Sequence, residues 1–250
     1  MINLGEKQKL TVVKKVEFGI YLGLSAEEDE PRVLLPRKQV PEGCEIGDEM
    51  EVFIYRDSQD RLIATTREPK LMMGQVAELT VAQTGKIGAF LDWGLEKDLL
   101  LPFKQQRGKV EQGNKVLVSL YIDKSDRLCA TMNVYDNLRT DSPYGKDDKV
   151  KGRVYEMSDN FGAFVAVDNL YSGLIPLTEL YGNVELGKDV EARVIQIRED
   201  GKLTLGIRDK ASPERIKQET GMSKNEFKRA VGRLLKQRRI EIGQYSISKV

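Results

Sequence analysis

Phe161-Gly162-Ala163-Phe164-Val165, followed by Gly173-Leu174-Ile175-Pro176-Leu177-Thr178-Glu179-Leu180 and Gly187-Lys188-Asp189-Val190, is the stretch on which the reading of this chain turns. Two weaker copies lie upstream. Phe18-Gly19-Ile20-Tyr21-Leu22, Leu34-Leu35-Pro36 and Gly47-Asp48 form the first; Ile87-Gly88-Ala89-Phe90-Leu91, Leu100-Leu101-Pro102 and Gly113-Asn114 form the second. In every copy the proline and the later glycine are 11 residues apart (36 to 47, 102 to 113, 176 to 187). A spacing held to the residue marks one folding unit used three times.

The motif glycines at 19, 88 and 162 are 69 and 74 residues apart. Solenoid repeats run to only about 20 to 50 residues, so each copy is a small domain. The expected division is 1–68, 69–140 and 141–209, with a separate C-terminal segment over 210–250. Units of this size bury only about 60% of their unfolded surface, so packing between neighbours is expected to help them.

Within a copy the patterning has period two. In the second, strands are expected over 74–82, 89–93, 99–101, 115–122 and 127–132, with Lys124-Ser125-Asp126 turning the last two into a hairpin. Five short strands without a strong amphipathic helix favour a small closed barrel over a sandwich, and closure removes exposed sheet edges. The fold class is therefore mostly β.

Composition narrows the function. The 250 residues are 40% hydrophobic and 32% charged, with no apolar run near the roughly 18 residues that a membrane helix needs. The first residues lack the apolar core of a secretory signal. Cys44 and Cys129 sit in different copies, so packing roles in a reduced cytoplasm are expected. Histidine is absent, which removes the commonest general base and metal ligand. There is no CxxC pair, no Gly-x-Ser-x-Gly elbow and no Walker-type loop, and carboxylates such as Asp57, Asp60, Asp123 and Asp126 punctuate turns. The expectation is a non-enzyme without metal, cofactor or membrane partner.

Charge is unevenly placed. Residues 1–68 carry 10 Lys/Arg against 14 Asp/Glu, 69–140 carry 10 against 8, 141–209 carry 9 against 13, and 210–250 carry 11 against 4. The balances are −4, +2, −4 and +7, summing to the chain's +1. A basic tail on a neutral chain suits either a nucleic-acid contact or a solvated charged helix.

The motif resembles the S1 domain, a five-stranded oligonucleotide-binding (OB-fold) barrel of ribosomal and RNA-processing proteins. Three such barrels before a basic tail further resemble the conserved virulence factor B family, RNA-binding regulators with tandem S1 domains and a C-terminal winged helix. The resemblance implies a stacking platform for single-stranded RNA, since bases stack on aromatic faces while Lys and Arg track the backbone. Phe161 and Phe164 form that platform in the third copy, Phe18 and Tyr21 in the first, and Phe90 in the second, where Ile87 replaces the first Phe. Strict alternation puts residues three apart on opposite faces. Either a bulge or sharp coil near Gly162 brings Phe161 and Phe164 together, or one of them is core. Arg61, Arg127 and Lys202 precede the last strand of each copy, where the resemblance implies either phosphate contact or plain exposed turn cations. Many S1 domains place His where this chain has Pro36, Pro102 and Pro176, and Pro donates no hydrogen bond. The acidic run Glu27-Glu28-Asp29-Glu30 ranks the first copy as the weakest RNA binder; the complete aromatic pair ranks the third first.

The tail reads as two helices and a hairpin. Ser212-Pro213-Glu214 offers a helix start and Gly221 a stop. Ser223 and Glu226 then form a capping box, with Met222 and Phe227 as a staple. Phe227, Ala230, Val231, Leu234 and Leu235 make one apolar stripe, and Lys228, Arg229, Arg233 and Lys236 lie opposite. Ile240-Glu241-Ile242 and Tyr245-Ser246-Ile247 read as a wing around Gly243-Gln244. This resembles a winged helix, with the usual first helix hard to place. The leading function is a non-enzymatic, cytoplasmic regulator of bacterial gene expression, virulence genes included, that binds single-stranded RNA. The alternatives are a tail-led factor for duplex DNA, and an accessory subunit of an RNA-processing or ribosomal assembly.

Overall fold

A computed structural model describes residues 1–25, 31–180, 184–207, 217–218, 220–242 and 247–249. The first barrel comprises β1 (Lys7–Val16), β2 (Gly19–Gly23), β3 (Arg32–Pro36), β4 (Glu49–Arg56) and β5 (Leu62–Thr65), closed in the order β1-β2-β3-β5-β4. The second contains β6 (Val76–Gly85), β7 (Gly88–Asp92), β8 (Leu99–Pro102), β9 (Lys115–Ile122) and β10 (Leu128–Thr131) in the order β10-β9-β6-β7-β8, with β8 and β10 packed alongside each other. The third, β11 (Lys149–Ser158), β12 (Gly162–Val167), β13 (Tyr171–Pro176), β14 (Asp189–Ile197) and β15 (Leu203–Gly206), closes as the first does. The chain is thus three five-stranded barrels, as the period-two patterning predicts.

The repeated motif has a cross-strand cause. Its glycine and its proline are ladder partners: Gly19 faces Pro36, Gly88 faces Pro102 and Gly162 faces Pro176. Gly162 takes φ 115°, and a Cβ there would stand 2.1 Å from the Ile175 carbonyl oxygen. No other residue fits so close to a neighbouring backbone. The bulge anticipated near Gly162 lies instead on the facing strand, where the β11–β12 register shifts between Val154 and Glu156. The first two barrels shift at the same place, between Val12 and Lys14 and between Val81 and Gln83. One extra residue there coils the strand so that the barrel can close.

Barrels 1 and 2 are joined through β4. Val52, Phe53, Ile54 and Tyr55 are all buried, which breaks the one-sided alternation of an ordinary barrel strand. Val52 and Ile54 enter the core of barrel 1 with Leu10, Leu22 and Leu35; Phe53 and Tyr55 enter that of barrel 2. There Phe53 and Tyr55 meet Trp93 edge-on, with ring centroids 5.8 and 6.3 Å away. The indole N–H donates to the Lys97 carbonyl at 2.6 Å. Burial on this scale fuses the two barrels into one compact unit, Met1–Leu138.

The second unit, Arg139–Val250, holds barrel 3 and the tail. Its first residue is stitched onto the barrel. Arg139 donates its N–H to Leu170, accepts from the Ser172 N–H, and lays its guanidinium 5.6 Å from the Tyr171 ring centroid. In the tail, α1 (Lys224–Lys236) precedes β16 (Ile240–Ile242) and β17 (Ile247–Lys249), which pair antiparallel. The expected capping box is present: the Ser223 hydroxyl accepts from the Glu226 N–H, and the Glu226 carboxylate accepts from the Ser223 N–H. Phe227, Ala230, Val231 and Leu234 are half-buried. Leu235, expected in the same stripe, is exposed because it falls at the stripe's edge. The expected helix start at Ser212-Pro213-Glu214, the acidic run at 27–30 and the wing tip at 243–246 lie outside the described residues. No helix among the described residues is long and apolar enough to cross a membrane.

Candidate nucleic-acid interface

Each barrel presents a platform where its second strand begins. Phe161 is 61% exposed just before β12, and Phe164 lies half-buried within it, their centroids 6.4 Å apart and their planes at 66°. Phe18 and Tyr21 repeat this in barrel 1 at 6.5 Å and 84°, with Phe18 59% exposed. Barrel 2 keeps half-buried Phe90 but substitutes exposed Ile87 for the outer ring. Interior positions go to Ile20, Ala89 and Ala163 instead. Both members of each pair therefore stay on the outside, because the outer one precedes the strand and escapes its alternation. Such surfaces offer apolar faces to planar ligands.

The hairpin cations are each paired with a carboxylate of their own turn. Arg61 donates through Nε and Nη2 to Asp57 Oδ2 at 2.9 and 2.7 Å, and Arg127 does the same to Asp123 Oδ2 at 3.1 and 2.9 Å. The other oxygen of each carboxylate caps the turn, accepting from the Gln59 and Arg61 N–H groups and from those of Ser125 and Arg127. Desolvation pushes the Asp123 carboxyl up, but these hydrogen bonds outweigh it and hold the group below the usual carboxylate range. Asp57 follows the same balance. Lys202 reaches Asp200 at 3.1 Å, a contact that lowers the Asp200 pKa. Each barrel thus neutralises its own hairpin cation with a carboxylate of the same turn.

Other cations flank the platforms. After each motif proline the chain makes a 3-10 turn: Arg37–Gln39, Phe103–Gln105 and Leu177–Glu179. Gln39 Oε1 accepts from the Thr65 hydroxyl at 2.6 Å, and Gln105 Oε1 from the Thr131 hydroxyl at 2.7 Å, pinning the first two turns to the ends of β5 and β10. Arg37, Lys38 and Lys104 stand exposed on those turns, as does Phe103. A groove of about 980 Å³ beside Phe18 is lined by Arg37, Lys38, and Arg67 paired with Glu96 at 3.5 Å. Over Phe90, a cleft of about 180 Å³ opens between Ile87 and Leu100 of barrel 2 and Arg56 and Asp60 of barrel 1. Sequence reasoning passed over these turn cations, although they stand one or two residues after the motif proline. On α1, Lys228, Arg229, Arg233 and Lys236 are all exposed. Among the described residues no group of three His, Cys, Asp or Glu side chains is arranged to hold a metal ion.

Tandem barrels of this topology, followed in the chain by a capped helix and a two-stranded ribbon, define a protein of the S1-domain class. The S1 domain model matches residues 4–67 and 73–133, the model described as virulence regulatory factor CvfB, second domain, matches 137–209, and the CvfB-like winged helix domain matches 191–248. The chain belongs to the conserved virulence factor B family. It is 28% identical to conserved virulence factor B of Staphylococcus aureus (strain bovine RF122 / ET3-1) over 247 residues, covering 82% of this chain and 81% of that one. It is also 28% identical over 269 residues to the uncharacterized protein YitL of Bacillus subtilis (strain 168), covering 93% and 89%. A crystal structure of a Streptococcus pneumoniae TIGR4 multidomain protein with nucleic acid binding domains shares the fold, at 22% identity and TM-score 0.51, over 99% of this chain and 98% of that one. The matched families are nucleic-acid-binding and regulatory domains. The winged-helix match begins inside β14, so it overlaps the last strands of barrel 3.

Proposed function

We propose that this chain is a non-enzymatic regulator that binds single-stranded RNA in the cytoplasm and acts after transcription on bacterial gene expression, virulence genes included. The observation that carries the reading is the outward placement of one platform per barrel: Phe18 with Tyr21, Ile87 with Phe90, and Phe161 with Phe164. Base-on-ring stacking contributes about 1 to 3 kcal/mol per base and tolerates many sequences. Several weak sites on one chain gain avidity, because each bound base raises the local concentration of the next. Fluorescence anisotropy with a labelled single-stranded RNA tests this. Phe161→Ala with Phe164→Ala weakens binding if the reading holds; unchanged affinity removes it.

A second reading rests on α1, whose exposed Lys228, Arg229, Arg233 and Lys236 form a basic face on a capped helix. Such a helix suits the groove of a duplex. Neutralising Arg229, Arg233 and Lys236 then abolishes duplex binding while single-strand binding persists. A protein indifferent to duplex DNA and RNA rules this out.

A further inference from the structure

The outer ring that barrel 2 lacks at Ile87 stands elsewhere on the same barrel. The residue before the motif glycine is Phe18, Ile87 and Phe161 in the three copies, and the residue after the motif proline is Arg37, Phe103 and Leu177. The copy without a phenylalanine at the first place has one at the second. Among the described residues, Phe18, Phe103 and Phe161 are the phenylalanines exposed by more than half, at 59%, 57% and 61%, one to each barrel. A single apolar side chain in solvent is ordinary. One ring per repeat, kept when its usual position loses it, is a pattern.

We propose that Phe103 is the outer base-stacking ring of barrel 2, so that its platform for single-stranded RNA consists of Phe90, Ile87 and Phe103. This rests on the single-strand reading above and deepens it, and the sites on barrel 3 and α1 stand unchanged beside it. Three observations carry it. First, the two positions are joined through the backbone: the Phe103 N–H donates to the Ile87 carbonyl at 3.3 Å, as the Arg37 N–H does to that of Phe18 at 3.0 Å. Ile87 also lines the cleft over Phe90, so the apolar surface continues from Phe90 across Ile87 to the turn. Second, the fold makes no use of the ring. Phe53, Tyr55 and Trp93 are the aromatic residues of the barrel 2 core, and Phe103 is not among the side chains packed against it.

Third, the turn that carries Phe103 is held at several points. Gln105 Oε1 accepts from the Thr131 hydroxyl at 2.7 Å, the Gln105 carbonyl accepts from the Met132 N–H at 3.0 Å, and Gln106 Nε2 donates to the Leu101 carbonyl at 3.0 Å. A ring already fixed in place costs little further ordering when a base settles on it.

Charge selects the occupant. Lys86 and Lys104 adjoin Ile87 and Phe103 in the chain, and both are exposed. Residues 69–140 also carry the positive balance, +2 against −4 in each of the other two copies. An apolar surface edged by cations suits a nucleobase with its phosphate.

The experiment uses the full-length protein and a single-stranded RNA containing 5-iodouridine, which bonds on irradiation to the side chain that its base lies against. Attachment is expected in the tryptic peptide Asp98–Lys104, whose one aromatic residue is Phe103. In anisotropy with a labelled RNA of the same sequence, Phe103→Leu keeps the apolar bulk without the ring and is expected to weaken binding by about 5- to 150-fold. Phe103→Tyr, which restores a ring, is expected to bind within about twofold of wild type. Trp93 fluorescence in thermal melts verifies that each variant is folded, and the crosslink needs no variant at all. Wild-type affinity in Phe103→Leu, or no attachment at Phe103 while the RNA is bound, overturns the proposal; if Phe161→Ala with Phe164→Ala still weakens binding, the function it rests on survives. A wild type that binds no single-stranded RNA overturns both.

Discussion

Gly162 and Pro176 face each other across the β12–β13 ladder, and the strands approach so closely that the glycine presses against the Ile175 carbonyl next to that proline. The two motif elements conserved in spacing along the chain are therefore one contact in space. The proline sets the extended entry to the 3-10 turn, at φ −62° and ψ 158°, and the glycine makes room for it.

Gly162→Ala forces a Cβ into 2.1 Å of backbone oxygen at a φ that L side chains rarely adopt. Barrel 3 is expected to lose about 3 kcal/mol in urea unfolding. Gly187→Ala has the same kind of backbone, φ 77°, but open space around the new Cβ, and is expected to cost about 1 kcal/mol. Equal losses at the two sites would show that close approach plays no part.

Phe18 and Ile20 are two residues apart with opposite burial, 59% and 3% exposed. Phe18→Ala is expected to leave stability within about 0.5 kcal/mol of wild type, yet weaken single-stranded RNA binding by about 1 to 3 kcal/mol. Ile20→Ala is expected to cost about 2 to 5 kcal/mol of stability. Thermal melts and anisotropy on the pair separate the two roles; a large stability loss at Phe18 would place its ring in the fold.

Phe53 belongs to a strand of barrel 1 but to the core of barrel 2. The chain's single tryptophan, Trp93, is 5.8 Å from it and reports on the core that barrel 2 shares with β4. Phe53→Ala is expected to lower the tryptophan-detected unfolding free energy by about 3 to 5 kcal/mol. A tryptophan transition that does not move would mean that the two barrels unfold separately.

Burial, reinforced by the charge of Asp123, pushes the Cys129 thiol up to about 11. At pH 8 only about one molecule in a thousand then carries the reactive thiolate, so iodoacetamide is expected to label half-buried Cys44 first and Cys129 only on unfolding. The folded state keeps a proton that the unfolded chain, with an ordinary value near 9, releases. This contribution is complete below pH 9 and is lost as pH rises from 9 towards 11. Alkaline urea titrations should therefore fall more steeply for wild type than for Cys129→Val.

The barrels were legible because each strand alternates and the Gly–Pro spacing recurs. The strands expected in the second copy match β6 to β10 to within three residues at their ends. What the sequence left out was the partner each side chain meets. Arg61 and Arg127 look like free cations in a linear reading, yet an Asp four residues earlier closes on each. Phe161 and Phe164 called in one dimension for either a bulge or sharp coil near Gly162 or a core place for one ring, whereas both rings lie outside and the extra residue sits on the opposing strand. The joining of barrels 1 and 2 did leave a trace, the unbroken run Val52-Phe53-Ile54-Tyr55, where barrel 3 keeps the alternating Ala192-Arg193-Val194. Its meaning emerges only once Trp93 is seen against it.

That run also dictates how the molecule can be taken apart. A cut between the first two repeats, anywhere from Glu68 to Gly74, would turn Phe53 and Tyr55 into wet aromatic surface on one fragment and strip the cover from Trp93 on the other. Both pieces would be expected to clump. Fragments meant to isolate one nucleic-acid site should instead be divided at Leu138, keeping the first two repeats as a single indivisible cassette.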